Sequence, residues 1–171
     1  GNRLLLDDAV YEDGAVAVAL PPGLGARPLV SQGCRPIGEP FTVTEAKENL
    51  LVGLGGRPAV DRLRDLVSAA DEKTRSLIGR GLHIGVVVDE QREAFELGDF
   101  LIRAVLGVDS SQGWVAVGDR VPVGTTVQFQ VRDAATASAE LRTLVQPLRA
   151  DSALVFTCNG RGTNLFGRSG H

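Results

Sequence analysis

The sequence predicts an α+β fold, in which a mixed and largely antiparallel sheet is flanked by helices. Two patterns lead to this prediction. Apolar or alternating runs between residues 82 and 132 are separated by short connections, which is typical of antiparallel strands. Apolar residues at helical spacing lie on both sides of this set, after Pro58 and after Asp133. We therefore expect a meander of strands between helices.

The first third of the chain is predicted to contain short strands joined by loops. Val16–Leu20 and Leu29–Ser31 are predicted as strands, and the proline- and glycine-rich run between them as a loop. Phe41–Thr44 alternates apolar and hydroxyl residues, as a half-buried strand does. Leu50–Leu54 is predicted to pair with it as a hairpin.

Two helices and four strands are predicted in the middle of the chain. Pro58 suits the first turn of a helix, where its missing N–H is not needed. A shorter helix is predicted over Asp71–Ile78. The apolar face of the first helix comprises Ala59, Val60, Leu63, Leu66, Val67 and Ala70, and the four strands are Leu82–Val88, Phe100–Leu106, Trp114–Val117 and Thr125–Arg132.

The last of these strands alternates strictly. Val127, Phe129 and Val131 are predicted to face one side, and Gln128, Gln130 and Arg132 the other.

A helix followed by a buried strand is predicted for the end of the chain. Asp133 is a favourable N-cap, and Pro147 should end the helix near Gln146. Ala153–Phe156 is apolar and β-rich in type, so it is predicted to be a buried strand. It leads into a loop, and Leu165-Phe166 is expected to return to the core.

Composition excludes several classes of function. The 171 residues carry a net charge of −3, which predicts no electrostatic attraction to nucleic acid or anionic membranes. No run is long enough to span a membrane and no signal peptide is visible, so a cytoplasmic location is expected. Cys34, Cys158, His83 and His171 lack the paired spacing of a zinc site, and no metal or cofactor is predicted.

The loop after the predicted last strand is the candidate ligand-binding site. Glycines on both sides of Arg161 allow backbone N–H groups to converge on an anion, and the guanidinium suits a carboxylate. Arg103 and Arg132 interrupt or end apolar strands, where a buried cation needs an acidic neighbour or an anionic ligand. Arg35 follows a similar glycine-cysteine step. The candidate ligand-binding residues are Cys158, Asn159, Gly160, Arg161, Gly162, Arg103, Arg132 and Arg35.

A series of motifs resembles the FIST domain, a module named for its occurrence in F-box and intracellular signal-transduction proteins. The motifs follow one another in the family's order. They are Gln32–Gly38, Phe41–Thr44, Gly55–Ala59, Gly98–Arg103, Leu106–Asp109, Val127–Asp133 and Ala153–Gly167.

The resemblance implies two segments. Residues 1–38 would close the family's N-terminal half, and residues 39–171 would form most of its C-terminal half. It also implies that the family domain continues beyond both ends. The chain contains no methionine, so we expect it to be a piece of a longer protein.

The resemblance implies a sensory domain for a small ligand, with amino acids or another small carboxylate as the expected class and no catalysis. Its occupancy would be passed to a signalling partner protein or to a missing segment of the same protein. Two alternatives stay open: a protein-interaction module, and an enzyme that uses Cys158 as nucleophile. If Arg161 clamps a carboxylate, Arg161→Lys should weaken binding by roughly 1.5–3 kcal/mol and leave folding nearly unchanged.

Overall fold

A computed structural model of the chain describes residues 3–157 and 159–170, and for Asn159 the backbone alone. The fold is mixed α+β with antiparallel sheets, as the sequence predicts. A hairpin of β1 (Leu4–Leu6) and β2 (Ala9–Tyr11) opens the described part of the chain. Residues 12–33 have no regular structure, and β3 (Cys34–Pro36) follows.

The predicted strands Val16–Leu20 and Leu29–Ser31 are therefore wrong. Both runs contain exposed apolar side chains, with Val18 71% and Val30 69% exposed. Apolar, β-branched residues form a strand only where another strand pairs with them and buries one face. Neither run has such a partner within the described residues.

Six antiparallel strands close into a barrel. They are β4 (Phe41–Lys47), β5 (Leu50–Leu54), β7 (Leu82–Val87), β8 (Phe100–Asp109), β9 (Trp114–Val117) and β10 (Thr126–Arg132). Their order around the barrel is β4, β5, β9, β8, β7 and β10, and β10 pairs back onto β4. A short strand, β6 (Arg57–Pro58), pairs with β5 outside this ring.

The pairing of β10 determines where the candidate functional site lies. One of its edges pairs with β7 from Val127 to Val131, and the other pairs with β4 at its start and β3 at its end. Closure of the ring leaves little unpaired edge for another strand.

Four helices accompany the barrel in the part of the chain that the structure describes. Two of them, α1 (Ala59–Ala69) and α2 (Glu72–Arg80), lie between β6 and β7 in the chain. Then α3 (Ala134–Val145) follows β10 directly, and α4 (Thr163–Phe166) follows a tight 3-10 turn at 159–161.

The helix boundaries follow the local chemistry that the sequence indicates. The Asp133 carboxylate accepts hydrogen bonds from the Ala135 N–H at 3.3 Å and the Thr136 hydroxyl at 3.0 Å, so the predicted N-cap is confirmed. The helix ends with Gln146 as C-cap, one residue before Pro147, as predicted.

The core lies where the barrel lining meets α1 and α2. Val127, Phe129 and Val131 belong to it, as the alternation in β10 predicts. The opposite face of β10 is also covered, because Gln128 is 9% and Gln130 1% exposed. The structure therefore buries polar side chains that the sequence pattern alone would place at the surface.

The prediction of a buried strand at Ala153–Phe156 is wrong. The segment is irregular rather than a buried strand, and Leu154, Val155 and Phe156 are 72%, 79% and 91% exposed. The barrel is already closed by β10 and β4, so no neighbouring strand completes the hydrogen bonds of this segment within the described residues. Leu165 and Phe166 are half-buried.

Candidate functional site

A cleft of about 420 Å³ opens beside the end of β10. The second helix forms one wall, and the start of β7 and the end of β10 form the base. The start of α3 and the segment around α4 close the far side. The lining residues are Lys73, Ser76, Leu77, Arg80, Gly81, His83, Arg132, Asp133, Ala134, Gly160, Asn164 and Leu165.

Arg132, the last residue of β10, is the central cation of the cleft. Its backbone lies opposite Cys34 of β3, and its guanidinium packs against Gly160 so closely that a Cβ there would overlap the Arg132 Nη1 atom. Its Nε atom is buried and makes no hydrogen bond. An unsatisfied guanidinium nitrogen is costly, so an acceptor brought in by a ligand would relieve it.

Two further polar atoms lie on the same part of the barrel without partners. His83 and Gln130 are directly opposite each other in the β7–β10 ladder. His83 Nδ1 and Gln130 Nε2 are both buried and make no hydrogen bond. Gln130 packs against Gly85 so tightly that a side chain at Gly85 would overlap its amide. His83 lines the cleft and Gln130 does not, so the base of the cleft holds an unsatisfied imidazole nitrogen together with the unsatisfied Nε atom of Arg132.

The pKa of His83 is lowered by burial, and the charge of Arg132 lowers it further, against a hydrogen-bonding contribution from the Gly81 backbone. The environment of its imidazole therefore favours the neutral form.

Positive charge dominates the cleft. Lys73, Arg80 and Arg132 are cationic, whereas Asp133 is the one carboxylate among the described lining residues. Asp133 also lies 3.9 Å from the Nε atom of Arg35 on β3. The surplus contrasts with the net charge of −3 on the whole chain, so the cleft is a local site of attraction for anions.

The predicted ligand-binding residues do not all converge. Gly160 and Arg132 line the cleft. Arg35 borders it, donating through Nη2 to the Thr74 hydroxyl at 3.3 Å beside its pairing with Asp133. Cys158 lies outside the described residues, and so does the side chain of Asn159.

Arg161 points away from the cleft. Its Nη1 atom donates to the Ser31 carbonyl at 3.2 Å and to the Ser31 hydroxyl at 3.1 Å, and Nη2 donates to the Ala137 carbonyl at 3.2 Å. The ring of Phe166 lies 5.9 Å from the guanidinium carbon. Arg161 therefore fastens the segment to α3 and the residues before β3, instead of converging with Arg132 as the sequence suggests. Gly162 lies with Arg161 along a separate groove.

Arg103 is also satisfied elsewhere. Its Nε atom donates to the Asp119 carboxylate at 2.8 Å and its Nη1 atom to the Ile102 carbonyl at 3.1 Å. Asp99, an acidic residue four positions before Arg103 in the chain, pairs with Arg92 instead. Arg103 does not line the cleft.

Sequence reasoning missed the helical wall of the site. Lys73, Ser76, Leu77 and Arg80 line the cleft from α2. Their spacing of three, one and three residues places them on one helix face, so the sequence contained a signal for this wall. A histidine that opens a strand indicates a surface or hydrogen-bonded residue, and nothing in the sequence places His83 beside Arg132.

Other chemistries have less support. Cys34 is 3% exposed, and burial raises the pKa of its thiol although Arg132 opposes the shift, which disfavours the reactive thiolate. Among residues 3–157 and 159–170, no cluster of three histidine, cysteine or acidic residues is arranged to hold a metal ion. None of the helices in this part of the chain has the length and apolarity needed to cross a membrane.

Comparison with known families agrees with the motifs. The FIST N domain matches residues 2–57 and the FIST C domain matches residues 59–171. The chain belongs to the FIST family. FIST domains are recognised as sensory domains of signal-transduction proteins. The boundary predicted after residue 38 stays a prediction, and in the structure strands from both matched ranges share one barrel.

Mycobacterial proteins are among the similar sequences. The uncharacterized protein Mb0898c of Mycobacterium bovis is 49% identical over 176 residues, covering 99% of this chain and 45% of the relative. The uncharacterized protein Rv0628c of Mycobacterium tuberculosis is 47% identical, covering 99% of this chain and 46% of the relative. The chain thus spans less than half the length of these relatives. No solved structure was found to match significantly.

Proposed function

We propose that the cleft beside β10 binds a small anion, with a carboxylate as the recognised group, and that the domain senses this ligand without chemically changing it. The supporting observation is the Arg132 guanidinium, which is held against Gly160 with a buried Nε atom that has no hydrogen-bond partner. Carboxylates accept paired hydrogen bonds from a guanidinium, so such a ligand would pair with Arg132. The positive charges of Lys73 and Arg80, which also line the cleft, favour the same class of ligand.

An amino acid fits the distribution of charge. Its carboxylate would face Arg132, and its ammonium group would face Asp133, which follows Arg132 directly and also lines the cleft. The volume of about 420 Å³ lies within the range of about 300–1,000 Å³ common for small-ligand pockets. No catalytic step is assigned, and a cytoplasmic location remains part of the proposal.

A ligand in the cleft would contact elements from separate parts of the chain. The walls come from α2, from β7 and β10, and from the segment around α4. A ligand that contacts all three would favour one arrangement of the α4 segment, and a signalling partner protein would recognise that arrangement.

A thermal-shift screen tests the proposal. The twenty amino acids and a set of small carboxylates are each added to the purified chain, and the melting temperature is measured. A ligand that binds the native state raises it in proportion to ln(1 + [L]/Kd). We expect at least one compound to stabilise the chain and Arg132→Leu to remove the effect. The matched control, Arg64→Gln, changes an exposed arginine of α1 that pairs with Asp61 and lies outside the cleft.

Two outcomes of the screen would contradict the proposal. If no compound raises the melting temperature at 10 mM, the carboxylate-sensing function is wrong. If the shift survives in Arg132→Leu, the ligand binds elsewhere on the chain.

A further inference from the structure

His83 occupies an unusual position in the cleft. Its imidazole is half-buried at the base, and the Nδ1 atom is buried without a hydrogen-bond partner. Residue 83 lies opposite Gln130 on β10, two positions from Arg132. A neutral imidazole with one unused nitrogen next to a fixed cation is a proton acceptor held in its uncharged form.

Most of the elements next to His83 contribute a charged residue. Arg132 belongs to β10, and Asp133 stands at the start of α3. Cys34 and Arg35 lie on β3, the other neighbour of β10 at this end. Ala104, which faces residue 83 from β8, is uncharged, and the nearby Arg103 is paired with Asp119. From α2, the cleft receives Lys73 and Arg80. Cations therefore outnumber carboxylates, and they oppose protonation of the imidazole.

An anion in the cleft would weaken this opposition to protonation. It would place negative charge beside Arg132 and supply an acceptor for a protonated imidazole at the same time. Both effects favour the charged form of His83. The proton would come from solvent and would reside on the imidazole, with no bond in the ligand changed.

We propose that anion binding in this cleft is coupled to uptake of one proton by His83, so that the domain responds to its ligand more strongly as the pH falls. This inference rests on the proposed function, because it concerns the same site. Binding and protonation are reciprocally linked, so a tenfold tightening of binding on protonation corresponds to a rise of about one unit in the pKa of the histidine.

The experiment uses L-glutamate and sulfate as probes, because neither changes its charge between pH 5.5 and pH 8. The chain contains two histidines, His83 and His171, so the variant His83→Gln assigns the imidazole signals in an NMR titration. The titration is repeated with each probe at constant ionic strength, with chloride as the compensating ion. We expect at least one probe to raise the pKa of His83 by about 0.5–1 unit, which sets an upper limit of about three- to tenfold on the gain in its affinity as the pH falls from 7.5 through that pKa.

Two variants separate this coupling from a structural effect. In His83→Gln, the probe should still bind, with an affinity that changes less than twofold over the same pH range. In Arg132→Leu, the pKa of His83 should rise even without a probe, and the probe should no longer shift it.

The failures are distinguishable. If a probe raises the melting temperature while the pKa of His83 stays unchanged, proton coupling is wrong and the anion site stands. If neither probe shifts that pKa and no compound of the thermal-shift screen stabilises the chain, both the coupling and the proposed function are wrong.

Discussion

Arg161, which lies within the 159–166 segment, and Arg132, which packs against that segment at Gly160, have contrasting roles. Arg161 gives three hydrogen bonds to Ser31 and Ala137, all to atoms of the protein. Arg132 is held just as closely, against Gly160, but its buried Nε atom has no protein acceptor. A guanidinium that the protein satisfies stabilises the fold, whereas one that it leaves incomplete beside a cleft is available to a ligand.

A glycine makes room for each of the two arginines. Gly33 has φ +66°, and a Cβ there would lie 2.8 Å from both the Ala137 Cβ and the Arg161 Nη1 atoms. It lets α3 and Arg161 approach the chain before β3. Gly160 leaves room for the guanidinium of Arg132. Four changes test this contrast, from the largest expected effect to the smallest.

Gly33→Ala should have the largest effect. We expect the free energy of unfolding to fall by about 2–4 kcal/mol, because a left-handed backbone and a collision with Ala137 are combined. Urea denaturation measures the change. Gly25→Ala is the control, since a Cβ at Gly25 would have no atom within 4 Å and the backbone there is not left-handed. Equal stabilities of the two variants would contradict the close packing at Gly33.

Arg132→Lys should affect binding more than folding. Lysine keeps the charge but loses the paired donors, so the affinity for a stabilising ligand should weaken by about 1.5–3 kcal/mol. The free energy of unfolding should change by less than about 0.5 kcal/mol, because the protein itself does not satisfy the Nε atom. Isothermal titration and urea denaturation give the two values. A large loss of stability with unchanged affinity would reverse the roles assigned to the two arginines.

Arg161→Lys should show the opposite pattern. We expect a loss of about 1–2 kcal/mol in the free energy of unfolding, since at least one hydrogen bond to a buried carbonyl is lost, and an unchanged affinity. This reverses the expectation drawn from the glycines around Arg161 in the sequence. The same two measurements decide it, and weaker binding without destabilisation would return Arg161 to the ligand site.

The pH dependence of stability should be the smallest effect. The pKa of His83 in the folded chain is lowered from its ordinary value of 6.5, so the unfolded chain takes up a proton first as the pH falls. Without ligand, stability is therefore complete above about pH 6.5 and decreases below it, towards the folded pKa.

His83→Gln should flatten the stability curve between pH 7 and pH 5.5. The carboxyls of Asp71, Asp99, Asp109 and Asp119 have lowered pKa values, and their contribution is lost only near and below pH 4. Urea denaturation at several pH values separates the two ranges. An identical slope in the natural chain and in His83→Gln would contradict the assigned environment of the imidazole.

The sequence by itself determined the helix boundaries and the core face of β10, because these features depend on neighbouring residues in the chain. Helices begin at Asp71 and Asp133 because their carboxylates accept backbone N–H groups, and α3 ends before Pro147. Alternation in β10 identified its core face correctly. Arg132 was identified as a candidate because a cation at the end of an apolar strand requires a partner.

Tertiary structure decided what the strands and arginines are used for. Ala153–Phe156 has the composition of a strand, but the ring closed by β10 and β4 provides no partner for it. Arg161 and Arg132 have equally favourable local settings, and only the packing of α3 and Ser31 satisfies the first and not the second. His83 meets Arg132 through the β7–β10 pairing, which joins residues far apart in the chain. Local periodicity carries no information about such pairings, because the energy that fixes them comes from closure of the barrel and burial of its core.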